Sequence, residues 1–136
     1  MTASPPRGLL LFAHGARDPR WAEPFEAVAE QARRRGATLA PPLQVRLGFL
    51  EFMSPDLIEA GRQLADAGCA TVDVVPLFLG AGGHVRKDLP LLLEGLRARY
   101  PSVGWRLHAA VGEAPAVIAA MADVALGWVD HAPLRP

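Results

Sequence analysis

The chain alternates short apolar runs with amphipathic segments, and this alternation restricts its fold more than any other feature. Four runs are typical of strands buried on both faces of a sheet: residues 9–13, 44–50, 71–79 and 105–111. Helical segments separate consecutive runs, so parallel strands joined by right-handed crossovers are expected. The sequence therefore predicts an α/β domain, a four-stranded parallel sheet with helices on both faces.

Capping residues, glycines and prolines mark where the helices between these strands begin and end. Side-chain oxygens of Asp and Ser satisfy free N–H groups at a helix start, proline fits the first turn, and Gly or Pro ends the helix. The first helix is predicted to start at Asp18-Pro19 and to end at Gly36. The second is predicted to start at Ser54-Pro55 and to end at Gly68, and the third to start at Asp88 and to end at Pro101. A last helix is expected to start near Glu113 and to bury Val117, Ile118, Met121 and Ala125.

Length and composition predict a single domain. The 136 residues, 51% of them hydrophobic, suffice for one core and are too few for two domains. We expect the domain to span residues 8–130, with terminal tails at 1–7 and 131–136.

Charge and cysteine content argue against several classes of partner. Lys plus Arg and Asp plus Glu balance at 14 each, so no net field attracts nucleic acid or an anionic membrane. The lone Cys69 cannot form an intrachain disulfide, and residues 1–7 lack the long apolar stretch of a secretion signal. We therefore expect a cytoplasmic protein that binds neither nucleic acid nor membranes.

Common nucleotide-binding and nucleophile motifs are missing from the sequence. The glycines of residues 80–83 lack the spacing and the lysine of a phosphate-binding loop. There is no G-x-S-x-G elbow, and Cys69 lies at a predicted helix-to-strand turn, away from the carboxyl edge of the sheet. These observations disfavour a nucleotide cofactor and nucleophilic catalysis by Ser or Cys.

Two histidines follow predicted strands. His14 closes the run 9–13, and His84 follows the run 71–79 after Gly80-Ala81-Gly82-Gly83. In open parallel sheets, ligands bind outside the carboxyl ends of the strands. We therefore expect both imidazoles to face one cleft, with Glu51 at the end of the second strand as an additional polar group.

Three ordered motifs at this edge closely resemble the short form of the sirohydrochlorin chelatase family, the CbiX-like enzymes. The motifs are His14-Gly15-Ala16-Arg17-Asp18-Pro19-Arg20-Trp21, then Gly48-Phe49-Leu50-Glu51, then the segment 76–90 around Gly82-Gly83-His84-Val85-Arg86-Lys87. The resemblance covers residues 8–126. It implies a single chelatase-like domain, a homodimer, and a divalent metal held by His14 and His84 for insertion into a tetrapyrrole.

The chemistry of metal insertion agrees with this resemblance. Imidazole binds first-row divalent metals and can accept a proton, and two histidines leave coordination positions open for the macrocycle. Glu51 can serve as a further ligand or as a proton acceptor. Sirohydrochlorin carries acetate and propionate groups, which nearby basic side chains could bind: Arg17, Arg20, Arg86 and Lys87. Gly82 and Gly83 would allow close approach of this substrate.

The resulting hypothesis is insertion of Co²⁺ or Fe²⁺ into sirohydrochlorin, in cobalamin or siroheme biosynthesis, with Ni²⁺ as a further candidate. A noncatalytic metal or tetrapyrrole carrier of the same fold is the alternative, because it could retain both histidines. A phosphohydrolase with a phosphorylated histidine is disfavoured, since Ala13 stands where such enzymes need an arginine.

Structural roles remain open for several of these residues. Glu51 could interact with the dipole of the following helix. Arg17 could pair with Asp18, and the other basic residues could be solvated helix positions: Arg20, Arg86 and Lys87. The glycines could permit a tight turn with positive φ: Gly80, Gly82 and Gly83. We place neither His108 nor His131 in the metal site.

Overall fold

The computed structural model describes residues 4–80 and 82–131, and it forms one parallel α/β sheet domain. The strands are β1 (Arg7–Ala13), β2 (Leu43–Phe49), β3 (Thr71–Pro76) and β4 (Gly104–Leu107). The helices are α1 (Glu23–Gly36), α2 (Leu57–Asp66), α3 (Gly83–Arg99) and α4 (Pro115–His131). Two 3₁₀ turns, Pro19–Ala22 and Val111–Glu113, precede α1 and α4.

The strand order in the sheet is β2-β1-β3-β4, and every neighbouring pair is parallel. Strand β1 lies between β2 and β3, and its residue Leu10 pairs with Arg46 on one side and Val74 on the other. The predicted four-stranded parallel sheet is therefore confirmed. Because the strands run in one direction, the loops after β1, β2 and β3 leave the sheet at the same edge.

Two apolar clusters lie on opposite faces of the sheet. The larger joins α2 and α3 to the sheet through Leu64, Leu93 and Leu96, all fully buried. The smaller joins α1 to β1 and β2 through Ala29 and Val45. Full burial of one such aliphatic side chain contributes about 1.5–3 kcal/mol to the stability of the fold. Both clusters therefore hold the helices against the sheet and fix the positions of its strand ends. The predicted helices on both faces are confirmed.

Three helix starts differ from those predicted. Asp18 caps the 3₁₀ turn Pro19–Ala22 by accepting from the Arg20 amide, and α1 itself begins one turn later. The second helix begins after Asp56, whose side chain accepts from the Glu59 amide, so Ser54-Pro55 is not its start.

Helix α3 begins at Gly83, five residues before the predicted cap Asp88. The Arg86 amide already donates to the Gly82 carbonyl at 3.0 Å, which closes a helical turn upstream. Pro90 lies inside this helix, where it has no N–H to donate to the Arg86 carbonyl and its ring crowds that carbonyl. Consequently His84 lies in the first turn of a helix rather than in a loop.

Two strands are shorter than predicted. Strand β3 ends at Pro76, although the Leu77 amide still donates to the Phe12 carbonyl at 2.7 Å. Strand β4 ends at Leu107, because it pairs with β3 over only four positions before the chain leaves the sheet.

Helix α4 contradicts the prediction that it buries an apolar face. None of its residues is buried, and Ile118 and Met121 are 53% and 42% exposed. Further exposed apolar side chains of this helix are Val124, Leu126, Trp128 and Val129. The reason is that the described part of the chain supplies no second layer of structure to cover this helix. No described helix is both long and apolar enough to cross a membrane.

Candidate functional site

The loops after β1 and β2 leave the sheet side by side and remain in contact. Ala13 and Phe49 are paired at the ends of their strands, and the Leu50 amide then donates to the Ala13 carbonyl at 2.8 Å. A Cβ atom on Gly15 would overlap the carbonyl oxygen of Glu51. Position 15 therefore tolerates only glycine while the two loops keep this contact.

His14 is held on two sides. Its ring stacks on Phe78, with 4.4 Å between ring centroids and 29° between ring planes. The indole Nε1–H of Trp21 donates to the His14 carbonyl at 2.7 Å. The side chain keeps 42% of its surface exposed, so a ligand can reach the imidazole while its backbone and ring stay fixed.

Glu51 lies beside this imidazole. Its Oε1 atom is 3.8 Å from His14 Nδ1, which is too long for a hydrogen bond. Nitrogen and oxygen ligands bind zinc, a comparable divalent ion, at about 2.0–2.2 Å, so two ligands of one ion lie at most about 4.2 Å apart. In a tetrahedral site two such ligands lie about 3.4 Å apart, so a shift of a few tenths of an ångström would let one divalent ion contact both atoms.

The start of α2 does not support the alternative role of Glu51, in which its charge interacts with the dipole of the following helix. Helix α2 begins at Leu57, after the Asp56 cap, and Glu59 is the acidic residue of its first turn. A helix dipole acts mainly within the first turn, which Glu51 does not reach.

The second predicted ligand, His84, lies in the first turn of α3, and its side chain is outside the described part of the structure. The preceding Gly82 has an extended backbone with φ −69°, and neither Gly80 nor Gly83 has positive φ. A positive-φ turn is thus a wrong explanation for these glycines. An added Cβ on Gly80, Gly82 or Gly83 would meet no atom within 4 Å, so this loop is open.

Among the side chains that the structure describes, no group of three or more His, Cys, Asp or Glu residues could hold a metal ion. The described ligand set at this edge is the pair His14 and Glu51. Cys69 is buried between α2 and β3, and this burial raises the pKa of its thiol, which disfavours a thiolate ligand or nucleophile.

Comparison with known sequences identifies the family. The sequence model of the CbiX family matches residues 8–125, which is most of the chain. The chain belongs to the CbiX family. The family predicted from the three motifs is thereby confirmed.

Two curated relatives are similar to this CbiX chain. The sirohydrochlorin cobaltochelatase of Sulfolobus acidocaldarius is 39% identical over 87 residues, covering 64% of this chain and 66% of the relative. The sirohydrochlorin cobaltochelatase of Sulfurisphaera tokodaii is 34% identical over 90 residues, covering 66% of this chain and 70% of the relative. The chain thus matches about two thirds of the length of these relatives.

Solved structures agree with the CbiX fold. A CbiX protein of cobalamin (vitamin B12) biosynthesis from Marinobacter aquaeolei VT8 has a TM-score of 0.79 and 32% identity, covering 93% of this chain and 100% of that chain. The sirohydrochlorin chelatase SirB from Bacillus subtilis subspecies spizizenii, in complex with cobalt, has a TM-score of 0.70 and 25% identity. That match covers 88% of this chain and 51% of SirB, so this chain spans about half the length of SirB.

In this CbiX chain the four predicted basic residues are exposed, but their partners differ. Arg20 pairs with Asp18 at 3.1 Å and lowers the pKa of that carboxyl group, so the structure does not support the alternative in which Arg17 pairs with Asp18. The Arg17 guanidinium instead lies over the Phe52 ring, 5.3 Å from its centroid. Arg86 and Lys87 follow His84 on α3.

A second histidine cluster in the CbiX fold was missed by sequence reasoning. His108 Nε2 lies 2.7 Å from Asp73 Oδ1, and Arg106 donates to the other oxygen at 2.8 Å. Partial burial raises the pKa of Asp73, but the hydrogen bonds from Arg106 and His108 outweigh it and lower the pKa overall. A carboxylate within an apolar strand was the available signal. His131, by contrast, is the exposed last residue of α4.

A large cleft of the described structure does not coincide with the His14–Glu51 pair. It measures about 640 Å³ along the edge strand β2 and is lined by charged side chains such as Glu30 and Arg46, without His14 or Glu51. A smaller cleft of about 320 Å³ lies beside the site and includes Arg17 and Phe52. We assign the site by its ligand chemistry, because reactive groups rather than volume define a metal-transfer site.

Proposed function

We propose that this chain catalyses the insertion of Co²⁺ or Fe²⁺ into sirohydrochlorin, with Ni²⁺ as a further candidate and without a nucleotide. The observation that carries this proposal is the His14–Glu51 pair, 3.8 Å apart at the carboxyl edge of a CbiX sheet. The activity named for the cobaltochelatase relatives supports the same reaction. The product would serve cobalamin or siroheme biosynthesis.

In this proposal the metal ion is a substrate that the protein must bind and then release. His14 and His84 hold the ion as neutral nitrogen ligands, and Glu51 contributes a carboxylate ligand or accepts a proton from a pyrrole nitrogen. A site with few protein ligands leaves positions for water, which the macrocycle nitrogens displace. Four tight protein ligands would instead retain the metal.

The basic side chains around this pair would bind the rim of the macrocycle. Arg17 and Arg20 follow His14, and Arg86 and Lys87 follow His84. Their charges can form charge-assisted hydrogen bonds with the acetate and propionate groups of sirohydrochlorin. The open space at Gly82 and Gly83 leaves room for the substrate next to the backbone.

We further propose that two copies of the chain form a homodimer through α4. A helix that is apolar on all sides is normally buried, yet every described side chain of α4 is exposed or half-exposed. SirB, which is about twice as long as this chain, supports a second copy as the occupant of this surface. A pair of units would also deepen the cleft beyond what one sheet edge offers a large macrocycle.

Sedimentation tests this interface. The wild type should sediment at twice the chain mass of 14.5 kDa, because burial of α4 drives association. Met121→Asp should shift the protein towards monomer, whereas the matched control Leu91→Asp, on an exposed apolar residue of α3, should not. A wild type that stays monomeric at micromolar concentration contradicts the proposal.

The cytoplasmic location stays a prediction.

Turnover distinguishes the chelatase from the noncatalytic carrier. The absorption change of sirohydrochlorin on metallation should be followed with Co²⁺, Fe²⁺ and Ni²⁺, with substrate in large excess over protein. A chelatase converts many equivalents per chain faster than spontaneous insertion. A carrier gives at most one stoichiometric equivalent, and that result would reject the enzymatic proposal.

A further inference from the structure

Phe52 has a backbone that a bulky side chain rarely adopts. Its φ is +65°, and it is the only described residue other than glycine with positive φ. The Met53 amide donates to the Glu51 carbonyl at 2.8 Å, so the chain makes a tight turn with Phe52 at its centre. Strained backbone of this kind persists only where the surrounding structure imposes it, and it clusters at functional sites.

The turn places an aromatic ring in solvent next to the proposed metal ligands. Phe52 follows Glu51 directly and is 64% exposed, although burial of its ring would be favourable. The Arg17 guanidinium lies 5.3 Å from the ring centroid, and the exposed remainder of the ring is open to a ligand. Glycine would avoid the strain at this φ, so the backbone conformation alone does not call for a phenylalanine here.

A second exposed apolar side chain lies on the other side of His14. Leu79 is 73% exposed and follows Phe78, the residue on which His14 stacks. Its backbone is held in place, because the Gly112 amide donates to the Phe78 carbonyl at 2.8 Å. His14 is therefore flanked by two loops that each present an apolar side chain to solvent.

We propose that Phe52 is a substrate-positioning residue whose ring contacts the flat face of the tetrapyrrole, while Arg17 binds a carboxylate on its rim. This inference rests on the proposed function, because it takes sirohydrochlorin as the ligand. A π-face next to a cation matches a macrocycle with an aromatic plane and an anionic edge. The left-handed turn keeps the ring pointing outward and keeps Glu51 beside His14.

The test uses Phe52→Gly, because glycine removes the side chain with its ring and relieves the strain at positive φ. Binding of metal-free sirohydrochlorin should be measured by fluorescence titration, together with Co²⁺ binding and urea unfolding. We expect the dissociation constant for sirohydrochlorin to rise about 2- to 13-fold, the equivalent of one aromatic contact. Co²⁺ affinity should stay within two-fold, and the unfolding midpoint should not fall.

Two further variants complete the design. Phe52→Tyr keeps an aromatic ring and should bind sirohydrochlorin more tightly than Phe52→Gly. Leu91→Ala removes an exposed apolar side chain of α3 and should bind like the wild type. Wild-type affinity in Phe52→Gly would overturn the inference. If the wild type binds sirohydrochlorin without metallating it, the proposed function fails while the role of Phe52 in binding stands.

Discussion

The two loops next to the proposed metal-binding histidines, the one after β1 with His14 and the one that leads into α3 with His84, differ in how tightly they are held. The first loop packs against the loop after β2, with Gly15 against the Glu51 carbonyl and with His14 fixed by Phe78 and Trp21. In the second loop, around Gly82, a Cβ atom added to any of the described glycines would meet no other atom within 4 Å. A fixed ligand lowers the ordering cost of metal binding, and an open loop admits a large substrate. Metal transfer needs both properties.

The largest expected effect comes from placing one methyl group in each loop. Gly15→Ala must separate the two packed loops and should cost about 3 kcal/mol or more. Gly82→Ala enters open space at an extended φ and should cost less than about 1 kcal/mol. Urea unfolding of both variants measures this difference. Equal losses of stability would show that the loops do not differ as described.

A smaller effect is expected at the Trp21 anchor of the first loop. Trp21→Phe removes the Nε1–H that donates to the His14 carbonyl but keeps a ring next to Phe25. The lost hydrogen bond should cost about 1 kcal/mol of unfolding free energy. Because this bond positions His14, Co²⁺ affinity should also fall by a few fold. If Trp21→Phe is destabilised by this amount but binds Co²⁺ as tightly as the wild type, Trp21 has only a structural role.

The smallest expected effect concerns Asp73, which lies on β3, away from both loops. Its folded-state pKa is lowered, so its ion pairs stabilise the protein above its ordinary pKa, and that contribution is lost as pH falls through the lowered value. Asp73→Asn should therefore destabilise the fold at pH 7 by about 0.5 kcal/mol and have progressively less effect as pH falls below the ordinary carboxyl pKa. Metal binding should not change. Urea unfolding at pH 7 and below the ordinary carboxyl pKa provides the check.

Much of the fold could be predicted from the sequence because apolar periodicity and caps act locally. The four parallel strands and the helices on both faces follow from runs such as 71–79, whose core residues are buried as expected. The start of α3 could not be placed, because Asp88 is a good cap and glycines 82 and 83 are poor helix formers. Only the hydrogen bonds of the folded chain decide between these two starts.

Features that depend on distant or missing partners were beyond local patterns. The apolar residues of α4 predicted a buried face, and this prediction is wrong because the described chain provides no surface that covers them. Glu51 lies beside His14 because β1 and β2 are parallel neighbours that end at the same edge of the sheet. The sequence predicts this common edge. The left-handed turn at Phe52 and the pairing of His108 with Asp73 depend on tertiary contacts, which no sequence spacing encodes.

The central claim is that the fixed first loop, through His14, and the first turn of α3, through His84, together hold one metal ion. Co²⁺ titration, followed by the visible absorption of the bound ion, tests this claim most directly. We predict one Co²⁺ per chain in the wild type, lost in both His14→Ala and His84→Ala. The control His131→Ala, at the exposed end of α4, should bind like the wild type. Undiminished Co²⁺ binding in either His14→Ala or His84→Ala would contradict a metal site shared by the two histidines.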